Sequence, residues 1–160
     1  MRHIRFATVQ DTPQILAFIK ALAEYEHLSH EVEVDEARLR QTLFGTPPAA
    51  EVLLALEDDT AVGFALFFHN YSTFLGKRGI YLEDLFVKPE YRGRGHGKAL
   101  LARLAALALE RGCGRLEWAV LDWNTPSIEF YKKLGAVPMS EWTIFRVTGQ
   151  ALADLASSST

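Results

Sequence analysis

Cysteine is almost missing: Cys113 is the only one in 160 residues. No internal disulfide can form, and a cysteine-built zinc cage is excluded. That scarcity suits a reducing compartment, so a cytoplasmic protein is expected. The five histidines are scattered. His27 and His30 are the only close pair, no carboxylate is placed with them as a ligand, and no metal site is expected. No apolar run is long enough to span a bilayer. Met1-Arg2-His3-Ile4-Arg5 lacks the apolar stretch and cleavage site of a secretory leader. Internal repeats, low-complexity blocks and linkers are absent as well. So is a strong charge of either sign: the formal net charge is −3. This weighs against nucleic acid as the main partner and is compatible with a cationic one.

What is present fits one globular domain over residues 1–156, with a flexible tail at 157–160. Hydrophobic residues make up 49% of the chain and charged residues 23%, ordinary values for a protein with one sizeable core. Ile4 and Phe6 predict a short first strand. Asp11-Thr12-Pro13-Gln14 reads as a helix start, and Ile15, Ile19 and Leu22 then share one helical face. A second helix is expected from Asp35 to Phe44, stopped by Gly45-Thr46-Pro47-Pro48. Val52 to Leu56 and Val62 to Phe68 read as a hairpin. The segment from Asn70 to Gly79 reads as a loop before a strand from Ile80 to Val87. An apolar helix from Ala99 to Arg111, a strand from Leu116 to Leu121 and a helix from Thr125 to Leu134 follow, with Gly135 past the helix end. A last strand from Trp142 to Val147 and a short helix from Gln150 to Leu155 complete the pattern. An antiparallel meander leading into a βαβ crossover gives an α/β (mixed α+β) fold: a central, mostly antiparallel sheet with helices on both faces.

The densest signal is Tyr91-Arg92-Gly93-Arg94-Gly95-His96-Gly97-Lys98. It joins an expected strand to an expected helix. Three glycines alternate there with basic residues. Such a turn lets successive N–H groups face an anion at the positive end of a helix dipole. A phosphate or pyrophosphate, and hence a nucleotide-like cofactor, is the expected ligand.

The element order and Arg92-x-x-Gly95-x-Gly97 resemble the GCN5-related N-acetyltransferase superfamily, where that motif binds the pyrophosphate of acetyl-CoA. Asn124-x-x-Ser127-x-x-x-Tyr131 fits the same pattern. Two longer strings, Tyr81-Leu82-Glu83-Asp84-Leu85-Phe86-Val87 and Trp123 to Ala136, resemble the spermidine/spermine N-acetyltransferase family. Tyr25-Glu26 and Trp142 also fit it. Members acting on diamines carry an acidic residue in the loop after the third strand. Here that loop reads Tyr71-Ser72-Thr73-Phe74-Leu75-Gly76-Lys77, which resembles the thialysine-acetylating branch instead.

The resemblance implies acetyl-CoA as acetyl donor, no metal, and direct attack of a small primary amine in a ternary complex. The acceptor would be a thialysine-like amino acid, a diamine or a polyamine. Backbone amides from Gly93 to Lys98 (Gly93, Arg94, Gly95, His96, Gly97, Lys98) would hold the pyrophosphate, with charge from Arg92 or Lys98. Leu85, Phe86 and Val87 would offer backbone groups to the pantetheine arm and the acetyl oxygen. Asn124, Ser127 and Tyr131 would contact the cofactor from one helix.

An alkylamine arrives protonated at neutral pH, so a base is needed. Adjacent strand residues face opposite sides, so only one of Glu83 and Asp84 is expected to face the cleft. The resemblance implies Glu83, with Asp84 open to a structural role. Tyr131 is the expected general acid for the departing thiolate. Tyr25, Glu26, Ser72, Thr73, Glu83 and Glu117 are the expected substrate contacts, and Trp118, Trp123 and Trp142 are expected in the core. No Cys-His or Ser-His pair stands at motif spacing, which argues against a covalent acyl-enzyme. A homodimer is implied by resemblance. Two rival readings stay open: acetylation of a protein lysine or N-terminus, and a non-catalytic acyl-CoA sensor.

Overall fold

The structure of the chain, a computed structural model, describes residues 1–158. The strands are β1 (Arg2–Phe6), β2 (Glu51–Glu57), β3 (Thr60–Ser72), β4 (Lys77–Val87) and β5 (Leu116–Trp118). The helices are α1 (Thr12–Tyr25), α2 (Glu36–Phe44), α3 (His96–Glu110), α4 (Thr125–Lys133) and α5 (Gly149–Ser157). One sheet has the order β1-β2-β3-β4-β5. Its first four strands run antiparallel, and β5 joins β4 in parallel. The mixed sheet with a β4–α3–β5 crossover is the fold the sequence predicts.

Local chemistry explains the joints. Asp58 and Asp59 both adopt positive φ (50° and 67°) in the two-residue turn between β2 and β3. Such a turn matches strand twist and tolerates aspartate. Asp35 caps α2 by accepting a hydrogen bond from the Arg38 N–H at 2.8 Å. Asp11 precedes α1 without capping it. Its carboxylate instead accepts the Thr8 N–H at 2.7 Å and pairs with both Arg5 terminal nitrogens, at 2.8 and 3.1 Å. The Arg5 guanidinium holds the Asp11 carboxyl below its ordinary range.

The 3.6-residue period of α1 turns Ile15, Phe18 and Leu22 onto the sheet. With Leu39 and Leu43 of α2 they meet Val52, Leu54 and Leu56 of β2, Phe64 of β3 and Phe86 of β4. Phe18 stacks on Phe64 at 5.3 Å between ring centroids and tilts against Phe86 at 6.1 Å. The helix α3 packs against all five strands and buries Leu100, Leu101, Leu104 and Leu107. Leu109 of that helix is exposed, so its apolar surface is not covered all round.

The chain packs as two compact units, Met1–Leu121 and a smaller one from Asp122 onward. In the second, Asn124 caps α4 by accepting the Ser127 N–H at 3.4 Å, and Gly135 takes φ +95° past the helix end. Four expectations are corrected. Residues Trp142 to Val147 form no strand, and Trp142 and Trp123, 75% and 49% exposed, are not in the core. The segment from Asn70 to Gly79 is mostly strand, because β3 and β4 stay paired out to Ser72 and Lys77. The strand β5 stops at Trp118 instead of Leu121. Ser157 ends α5, and the Ser158 N–H bonds the Leu155 carbonyl, so these two are not tail; Ser159 and Thr160 lie outside the described residues.

Candidate active site

The strand β4 carries the decisive irregularity. Asp84 pairs with Leu66 and Leu82 pairs with Phe67, which leaves Glu83 as an extra residue, a β-bulge. A bulge breaks strict alternation and re-aims side chains. Phe86 packs in the α1/α2 layer. Asp84, two residues earlier, takes the same face. The side-chain field agrees: Asp84 is raised by Glu83 and Glu26, and Glu26 is raised by Glu83. Strict alternation is therefore suspended at Glu83, and the charges of Glu83, Asp84 and Glu26 act on one another. Burial pushes the Asp84 carboxyl up to about 6, with Glu83 and Glu26 adding to the effect. Burial also raises the Glu26 carboxyl, with Glu83 second.

Pairing of β4 with β5 covers only Ile80 to Leu82. Beyond the bulge, the stretch carrying Leu85, Phe86 and Val87 has no ladder partner on that side among the described residues. Glu117 of β5 faces Tyr81 in register and accepts a hydrogen bond from the Asn70 side-chain amide at 3.2 Å. Burial, then Glu83 and Glu117, raise the Tyr81 phenol. Glu117 thus borders the acidic face through Tyr81.

The glycine loop follows a single 3₁₀ turn, Pro89–Tyr91. Gly93 and Gly95 take φ +79° and +87°, and Gly95 leads directly into α3 at His96. Only glycine adopts these angles without strain. A Cβ at Gly93 would meet nothing within 4 Å, so its conformation, not crowding, requires glycine there. This backbone fits a pyrophosphate: consecutive amides at a helix N-terminus that nothing caps with a side chain.

The basic residues of the loop behave differently from one another. Arg92 donates from Nε to the Val87 carbonyl at 2.9 Å, and its guanidinium lies over the rings of Tyr25 and Phe86 at 5.1 and 5.5 Å. Arg92 therefore covers one face of Tyr25, the aromatic face expected for a substrate ammonium. Arg94 pairs with Glu57 at 2.6 Å. The His96 ring is 2% exposed and turned inward. Lys98 is exposed.

Ser72 and Thr73 lie at the tip of the β3–β4 hairpin, where the Ser72 hydroxyl accepts the Leu75 N–H at 3.2 Å. Ser72 is five residues beyond Phe67, about 17 Å along the strand from the bulge. Within one chain they do not join the acidic cluster. Asn124, Ser127 and Tyr131 sit on or beside α4 in the second unit, where the Phe130 and Tyr131 rings lie 5.7 Å apart. Glu57 and Arg2 were not singled out in the sequence. An acidic residue ending the strand before Asp58-Asp59 was the available signal for Glu57.

Residues 12–136 match the acetyltransferase (GNAT) family. Thialysine N-epsilon-acetyltransferase of Bos taurus is 44% identical, over 96% of both chains. An L-ornithine N5-acetyltransferase of Arabidopsis thaliana is 35% identical, over 93% of this chain and 85% of its own. Among solved structures, an integron cassette protein from the mobile metagenome of V. cholerae superposes with a TM-score of 0.81 at 27% identity, covering 98% of each chain. Together with the bulged β4 and the glycine loop, these likenesses show that the chain belongs to the GNAT family and is an N-acetyltransferase.

Proposed function

We propose that the protein transfers the acetyl group of acetyl-CoA to a primary amine of a small cationic molecule of the thialysine, lysine or ornithine kind. The observation that carries this reading is the bulge at Glu83, next to Asp84, whose carboxyl is raised by burial and then by the charges of Glu83 and Glu26. Clustered carboxylates attract an ammonium, and a carboxyl raised to about 6 is a better proton acceptor near neutrality than an ordinary one. We assign the base to the Glu83–Asp84 pair. Glu26 and Glu117 extend the acidic surface for the rest of the substrate. The relatives named for thialysine and ornithine support an amino-acid-like acceptor.

Bound acetyl-CoA supplies the activated acetyl thioester. The N–H groups of Gly93 to Lys98 would hold its pyrophosphate, and the β4 backbone from Leu85 to Val87, whose Val87 carbonyl already accepts from Arg92, would align its arm. Tyr131 is assigned the proton delivered to the departing thiolate, on the strength of the Asn124-x-x-Ser127-x-x-x-Tyr131 pattern. Asn124 and Ser127 would flank the cofactor from the same helix start.

A panel of thialysine, lysine, ornithine, spermidine and a lysine peptide, followed by thiol release from acetyl-CoA, tests the reading. Thialysine, lysine or ornithine should exceed spermidine and the peptide in kcat/KM by at least about tenfold, a difference of ~1.4 kcal/mol in transition-state binding. Preference for the peptide would sink the small-molecule assignment in favour of protein acetylation. Acetyl-CoA binding with no turnover of any amine would favour a sensor.

We also propose a homodimer. Trp142, Ile144, Phe145 and Val147 are 75%, 77%, 92% and 45% exposed, an apolar run that a second copy would cover. Light scattering on the purified protein should return twice the 17.9 kDa chain mass; a single-chain mass removes the proposal. The scarcity of cysteine supports the cytoplasm as its compartment. Among the described residues no helix is long and apolar enough to cross a membrane.

A further inference from the structure

We propose that Arg2 and Glu57 form a clamp that positions the glycine loop, and that the Arg94 and His96 side chains belong to this clamp and are not phosphate ligands. The inference rests on the loop being the acetyl-CoA site. Arg2 and Glu57 are direct cross-strand partners at one end of β1 and β2. From there both reach the loop. One Glu57 oxygen accepts from the Arg94 guanidinium at 2.6 Å, and the other lies 2.7 Å from His96 Nε2. These two partners flank Gly95, so one carboxylate holds the loop on either side of its left-handed residue. Arg2 takes the backbone between them, donating to the Arg94 carbonyl at 3.1 Å.

Each contact serves anion binding indirectly. A phosphate cradle needs its N–H groups inward and its carbonyls satisfied elsewhere. Arg2 satisfies the Arg94 carbonyl away from the helix start. A Cβ on Gly95 would sit 2.6 Å from Arg2 Nη1 and displace that guanidinium, while the φ of +87° is what requires glycine there. The Arg94 guanidinium is engaged by Glu57 and lies 4.9 Å over the Tyr91 ring. The buried His96 ring can offer the cofactor only its backbone N–H. His96 Nδ1 has no partner, so the ring's one hydrogen bond among the described residues is to Glu57.

Two accounts of Arg94 predict opposite signs. If Arg94 binds phosphate and Glu57 competes for it, Glu57→Gln frees the cation and tightens acetyl-CoA binding. If Glu57 and Arg94 position the loop, Glu57→Gln weakens it. Steady-state kinetics with varied acetyl-CoA, and calorimetric Kd for CoA, decide on the full chain. We expect Glu57→Gln and Arg94→Ala each to raise KM for acetyl-CoA and Kd for CoA about tenfold, the scale of one lost charged hydrogen bond. In both, kcat at saturation should stay within about twofold, and the double variant should be no worse than either single, as for residues acting as one unit. Tighter binding in Glu57→Gln overturns the clamp. So does a lowered Tm with unchanged KM and Kd, which would make the cluster structural only. Arg2→Met loosens the other arm and decides the matter if Glu57→Gln fails to fold. Gly95→Ala separates the levels: if it too leaves KM and Kd unchanged, the loop is not the cofactor site and the underlying reading falls instead.

Discussion

Asp84→Asn should cost the enzyme its turnover and make the fold more stable. The amide cannot take a proton, so kcat/KM should fall by about 10²–10⁴, the usual worth of a positioned base. The stability change follows from the same burial. A folded-state pKa of about 6 against an ordinary value of 3.8 means that the native state holds the proton more tightly than the unfolded chain. The resulting stabilisation is fully present below pH 3.8 and is lost as pH rises through about 6. At pH 8 the wild type therefore carries an ionised, largely buried carboxylate beside Glu83 and Glu26. Replacing it with a neutral isostere should return about 1–3 kcal/mol, the upper figure being the full pKa difference.

Urea denaturation of both proteins at pH 5 and pH 8 checks the sign. The advantage of Asp84→Asn should grow with pH, while contributions from Asp11 and Glu57 cancel between the two proteins. The pH profile of kcat/KM should show an acidic limb near 6 in the wild type. Turnover undiminished in Asp84→Asn and abolished in Glu83→Gln would assign the base to Glu83 alone. A stability difference that shrinks at high pH would mean the Asp84 carboxylate is solvated, and the cluster would lose its special character.

Where the sequence was legible, one local rule governed a whole element. Ile15, Ile19 and Leu22 repeat at helical spacing; Ile15 and Leu22 lie on the buried face of α1, Ile19 is partly buried at its edge, and Phe18, which the pattern did not name, fills the centre. The three glycines mark a turn that needs positive φ, and Gly93 and Gly95 adopt it. The bulge was not legible, because alternation belongs to a regular ladder and one inserted residue leaves no trace in composition. The length of the β3–β4 hairpin was hidden by its polar residues. Asn70 and Arg78 read as loop, yet backbone pairing continues through them to Ser72. Trp142 to Val147 shows the opposite failure. Its apolar, β-prone residues promise a strand, but strand formation depends on a partner edge, and this segment is not part of the five-stranded sheet. Glu57 was missed for a third reason: its place at a strand end was visible, but its partners Arg94 and His96 are 37 and 39 residues away.

Phe18→Ala should be the most damaging single truncation in the α1 layer, at about 3–5 kcal/mol. The ring is 1% exposed, stacked on Phe64 and tilted against Phe86, so it ties α1 to β3 and β4 together. A typical domain has only about 5–15 kcal/mol in hand, so the variant should unfold at a much lower urea midpoint with a similar m-value. Phe18→Leu keeps most of the volume and should cost far less. Leu109→Ala, on an exposed site of α3, should cost nearly nothing. Activity adds a second reading. Phe86 is two residues from Asp84 on the same face, so a cavity at Phe18 loosens the strand that aims the carboxylates. The folded fraction of Phe18→Ala should therefore show a lower kcat than the wild type, with the acidic limb of its pH profile moved below 6 as water reaches Asp84. A Phe18→Ala protein that lost stability and kept both kcat and the limb would show that the bulge holds its geometry by itself, independent of the packing behind it.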